Sequence, residues 1–156
     1  MNRAVSLLSV GLVAGVLAVP MALADTDPLA AVKTDIAKLQ SDATVRHDLL
    51  IADAQKLQAD ARAAVGGARK AAFATIHADR AKLRADRGQT SATVKADRAQ
   101  LKTDIAAVRQ AKAGRGQLKA LLQPLRAQLA QQRAEVKAAA QSAAADVKAL
   151  RTSFGH

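Results

Sequence analysis

The chain of 156 residues carries 24 Lys and Arg against 13 Asp and Glu, a formal charge of +11, and half of it is apolar. It has no Cys, Trp or Tyr, and Phe73 and Phe154 are its only phenylalanines. These facts exclude a disulfide framework, thiol catalysis and a Cys-linked lipid anchor. Ala, Lys, Arg and Asp with Leu at helical spacing point to long helices and away from a sheet.

Met1-Asn-Arg3 is a short positive segment, Ser6 to Val19 is uncharged and apolar, and Ala22-Leu-Ala24 puts small residues at the −3 and −1 positions of a cleavage site. This is the layout of a secretory signal peptide over residues 1–24. Gly11, Gly15 and Pro20 favour its removal over retention as a membrane anchor. The expected product is a periplasmic or secreted protein, residues 25–156, forming a single helical domain of charge +10 once Arg3 is lost.

Asp25-Thr-Asp-Pro28 is a helix start, with Asp or Thr able to cap and Pro suited to the first turn. Leu29, Val32, Ile36, Leu39, Ala43, Leu50 and Leu57 follow at helical spacing, and Gly66-Gly67 ends the stretch. The pattern predicts a first helix over about 28–65, a second over about 68–113 and a third over about 117–152. Gly114-Arg-Gly116 separates the last two. Two residues resist. Gly88 lies inside the second helix and costs about 1 kcal/mol against Ala. Pro124 lies inside the third and removes a backbone hydrogen bond, so a kink is expected there.

An eight-residue phrase recurs four times, as Asp35-Ile-Ala-Lys-Leu-Gln-Ser-Asp42, Asp53-Ala-Gln-Lys-Leu-Gln-Ala-Asp60, Asp79-Arg-Ala-Lys-Leu-Arg-Ala-Asp86 and Asp97-Arg-Ala-Gln-Leu-Lys-Thr-Asp104. Within each pair the offset is 18 residues, which is five turns of a 3.6-residue helix, so equivalent positions share a face. Folding the first helix back about Gly66-Gly67 pairs Leu57 with Ile76, Leu39 with Val94, Asp53 with Arg80, Asp35 with Arg98, and sets His47 near Asp86. Folding the third back about Arg115 pairs Val108 with Leu122, Ile105 with Leu125 and Leu101 with Leu129. The expected fold is therefore all-α: an up-down-up antiparallel three-helix bundle or coiled coil, with the second helix central. The repeated aspartates then flank the seam as a solvated edge.

Little chemistry is legible. Carboxylates seven residues apart on one helix lie about 10 Å apart, too far to share a cation. His47, His77 and His156 have no ligand spacing, and His47 and Asp48, as sequence neighbours, should point apart. No glycine-rich phosphate loop follows a strand. No catalytic residue, metal or cofactor is expected, and the chain reads as a non-enzyme.

Charge is unevenly shared. Residues 25–65 hold five basic and seven acidic side chains, residues 68–113 eleven and four, and residues 114–156 seven and two. The surplus on the second and third helices suits an anionic partner. The candidate basic face is Arg80, Lys82, Arg84, Arg87, Lys95, Arg98 and Lys102. Exported, Cys-free, helical and cationic, the chain resembles small periplasmic chaperones of the Spy/CpxP type in composition and compartment, although their Leu-Thr-x-x-Gln motif is absent. The expected partners are anionic envelope polymers, lipid headgroups or client proteins. Nucleic acid is disfavoured, because neither stacking aromatics nor a reading helix is present. The alternatives are a homo-oligomeric structural coiled coil and an amphipathic binder of lipid surfaces.

Overall fold

The computed structural model describes residue 27, residues 29–112 and residues 114–155; the expected signal peptide, Pro28 and His156 lie outside them. Three helices fill the described chain: α1 Ala30–Ala63, α2 Arg69–Ala111 and α3 Arg115–Ser153. At 1.5 Å per residue they are about 50–65 Å long. Asp27 opens α1, its carboxylate accepting from the Leu29 N–H at 2.9 Å while Lys33 reaches back to it at 2.6 Å. At the first turn Gly66 takes a left-handed φ of +81°. At the second, Lys112 and Gly114 are both left-handed, and Gly114 lies against Leu29: a Cβ there would sit 3.0 Å from the Leu29 Cγ. The start of α1 and the α2–α3 turn thus interlock.

Both interior breakers are absorbed. α2 is continuous through Gly88, where a Cβ would meet open space. α3 is one helix through Pro124. Pro124 and Ala120 are exposed, so the Ala120 carbonyl that proline leaves without a helical donor is on the solvent side of the helix.

Direction follows from cross-helix bonds. Lys38 meets Asp97, Lys56 meets Asp79 and Lys82 meets Asp53, pairs whose numbers share the sum 135, so α1 and α2 run antiparallel. Gln40–Gln128, Gln132–Thr44 and His47–Glu135 share a separation of 88, so α3 runs parallel to α1.

The central helix is α1, not α2 as the leucine pairing suggested. α1 packs along both neighbours, whereas α2 and α3 meet only sparsely. One of their contacts is the Phe73–Phe154 pair at the end of the bundle, with ring centroids 5.7 Å apart. Charge supplies the reason. α2 and α3 hold the cationic surplus and repel one another, while the acidic side chains of the α1 segment attract α2.

The antiparallel register differs by two residues from the expected one, which turns a helix face by about 200°. Asp53 therefore meets Lys82 instead of Arg80, and Asp35 has Asp104 beside it instead of Arg98. Nor are the repeated aspartates a solvated edge: Asp53, Asp79 and Asp97 are 6%, 8% and 7% exposed, sealed in the α1–α2 seam. Three lysines hold them, each bridging one aspartate across the seam and one four residues on along its own helix. Lys56 spans Asp79 and Asp60, Lys82 spans Asp53 and Asp86, and Lys38 spans Asp97 and Asp42. The phrase is thus a pairing code, in which the fourth-position lysine of one copy meets the first-position aspartate of its antiparallel partner. The fourth copy has Gln100 in that place, and Gln100 bonds Asp104 of its own helix. Asp35 thus has no lysine across the seam, and one of its carboxylate oxygens is buried and unbonded, as is one in each of Asp53, Asp79 and Asp97.

The core is split. One cluster gathers Val32, Ile36, Leu39, Val94, Leu101, Val108, Leu122 and Leu125, and a second gathers Ala54, Leu57, Ile76, Ala143, Val147 and Leu150. Between them lies a polar layer in which Gln132 donates to Thr44 at 3.1 Å and His47 meets Glu135 at 2.7 Å. His47 also reaches Asp48 at 2.8 Å, so these neighbours converge where helical spacing predicts divergence, and its partner is Glu135 of α3 instead of Asp86.

Candidate functional site

Because α2 and α3 flank α1 without closing on each other, a groove remains between them. Its basic rim on α2 follows from the repeated phrase. The first-position aspartate faces the seam; one residue on, the chain has turned about 100°, and the second-position Arg80 and Arg98 reach the far side. Arg84 and Arg87, four and seven residues beyond Arg80, share that face. On α1 the same second position holds Ile36 and Ala54, both buried.

Three hollows lie along the groove. The largest, about 770 Å³, has Leu50, Leu57, Leu83 and Val136 as its floor and Arg46, Arg80, Arg84, Arg87, Arg133 and Lys137 around it. Another, about 500 Å³, has Leu39, Leu101, Ile105 and Leu125 below and Arg98, Lys102, Arg109 and Arg126 around it. A third of about 550 Å³ adds Arg115 and Lys119 near the α2–α3 turn. No Asp or Glu lines any of the three. The carboxylates of the described chain lie mostly in the seams with α1, where lysines, His47 and Arg62 hold them.

Electrostatics at the middle of the groove run against the fold. Burial pulls the Arg46 guanidinium down from its ordinary range, and Arg87 and Arg133 add repulsion. Burial does the same to Arg98, with Arg133 and Arg46 repelling it, and to Arg80, with Arg151 and Arg84. The Arg46 Nε is buried without a hydrogen-bond partner.

No known protein family, curated protein or solved structure matches the chain.

The structure brings Arg80, Arg84, Arg87, Arg98 and Lys102 of the expected basic face to this one groove. Lys82 stands apart on the opposite seam, engaged by Asp53 and Asp86, and Lys95 is exposed without lining any of the three hollows. The sequence reading omitted Arg46 of α1 and the α3 cations Arg126, Arg133 and Lys137. Register would have pointed to two of them: Arg46 lies within two residues of the level of Arg87 in the antiparallel count and within one of Arg133 in the parallel one.

An apolar floor between cationic rims is chemically suited to a ligand that is at once anionic and partly apolar. Guanidinium is suited to both parts, since its planar fork grips oxyanions and its stem covers apolar surface. Among the described residues no group of three His, Asp or Glu side chains is placed to hold a metal ion, and no helix is long and apolar enough to cross a membrane.

Proposed function

We propose that this is an exported, non-enzymatic binding protein whose α2–α3 groove captures an anionic, partly apolar partner: an acidic envelope component or a segment of a client protein. One observation carries the reading: three adjoining hollows with apolar floors are rimmed by arginines and lysines and by no carboxylate. A cationic surface meant only for solubility would spread its charge over solvated faces. Here acids and bases are segregated, with acids drawn to the seams and bases to the groove.

The test compares equal charge changes in two places. Arg84→Glu, Arg98→Glu and Arg126→Glu together are expected to abolish binding to anionic vesicles and to remove protection of a client from aggregation. Arg69→Glu, Lys95→Glu and Lys148→Glu together change net charge equally and are expected to leave both intact. Equal losses in the two triple variants would reduce the groove to bulk charge and sink the reading. The second reading, a self-associating coiled coil, would require sedimentation equilibrium to show mass rising with concentration.

A further inference from the structure

The middle of the groove holds four arginines that the fold does nothing to neutralise. Arg46 of α1 is within coulombic reach of Arg87 of α2 and Arg133 of α3, Arg98 of α2 is within reach of Arg46 and Arg133, and among the described residues none of the four is in an ion pair. Arg46, Arg87 and Arg133 line one hollow and Arg98 lines the adjoining one, and the buried Arg46 Nε has no acceptor. Arg46 and Arg98 are half-buried while Arg87 and Arg133 are exposed, and unpaired guanidiniums held close together with two of them partly desolvated are unfavourable. At Asp53 and Asp79, by contrast, a lysine across the seam supplies the opposite charge.

We infer that Arg46, Arg87, Arg98 and Arg133 form a discrete site for an anion carrying two or more phosphoryl groups. The inference rests on the groove reading and narrows it to one chemistry. Arg87 and Arg98 are eleven residues apart, about 16 Å along α2, so the row of cations is longer than one orthophosphate and suits two anionic groups in succession. Four cations over that span call for several negative charges. Two phosphoryl groups deliver them with oxygens that accept bidentate guanidinium bonds, and carboxylates would have to be twice as many. Apolar floors on either side leave room for chains esterified to such a headgroup.

Titration calorimetry of the purified chain, with inorganic tripolyphosphate as one probe and phosphatidylcholine vesicles containing cardiolipin as the other, tests the site. Arg46→Gln and Arg133→Gln are each expected to weaken binding about tenfold or more, as loss of a charged hydrogen-bonding partner does. Lys95→Gln and Lys148→Gln, outside the groove, are expected to change it less than about twofold, through screened charge alone. Without any anion, Arg46→Gln is expected to raise the melting temperature, which separates lost binding from lost folding. Binding of both probes supports the site with either source; binding of vesicles alone supports it with a lipid source, and of tripolyphosphate alone with a free anion. No binding of either probe, or equal losses in the Arg46 and Lys95 variants, would overturn it. Vesicle binding kept by Arg46→Gln but lost in the triple Arg84, Arg98 and Arg126 reversal would remove the site and leave the groove standing.

Discussion

Gly88 and Gly114 show how one residue type acts oppositely in two settings. Gly88 is helical, with space for a side chain, and Gly88→Ala is expected to stabilise by about 1 kcal/mol by restricting the unfolded chain. Gly114 is left-handed and pressed on buried Leu29, so Gly114→Ala is expected to destabilise by about 1–3 kcal/mol from strain and the clash. Urea titration of the two variants checks both signs. His47 gives a pH dependence. The hydrogen bond it donates to the Asp48 carboxylate, opposed by partial burial and helped by one to Glu135, raises its imidazole above the ordinary value of 6.5. A raised folded value means stability that is complete below pH 6.5 and is lost as pH rises through the folded value. Thermal melts from pH 5 to 9 should show that loss in the wild type and not in His47→Gln.

Within elements, the repeated phrase supplies a prediction of its own. Burial, and then the nearby Asp104, push the Asp35 carboxyl above its ordinary range, so its ionised form works against the fold. Asp35→Asn is therefore expected to raise the melting temperature at pH 7 and to lose that advantage in acid, where the wild-type carboxyl is protonated. Gln100→Lys, restoring the lysine found at this position in the other three copies, is expected to do the same by bridging Asp35 and Asp104. If neither variant melts higher, the phrase does not act as a pairing code.

Across the whole molecule, helix number and apolar stripes were legible because Ala, Leu and glycine punctuation are local signals. The central helix was misjudged because α2 leucines such as Leu101 suit either neighbour equally, and leucine pairing alone does not set the order. The second position of the phrase does: buried Ile36 and Ala54 on α1 against Arg80 and Arg98 on α2 mark α1 as enclosed and α2 as peripheral. Lys82 and Arg84 are indistinguishable by charge count, and only a register accurate to two residues assigns one to the seam and the other to the groove. The repulsion that holds the groove open is a long-range term, so moderate salt is expected to raise the melting temperature of the wild type. The Arg84, Arg98 and Arg126 triple reversal should lack that response.

α1 is the shared wall of two interfaces that scarcely touch each other. Losing α3 therefore exposes one side of α1 and leaves the lysine–aspartate seam intact, and losing α2 spares the α1–α3 bonds. Native-state hydrogen exchange should follow this division. Amides of α1 are expected to be slowest, opening only when the whole chain unfolds, while α2 and α3 each exchange through a separate, shallower opening. A molecule built this way can widen its groove by easing one outer helix away, with its most protected segment undisturbed.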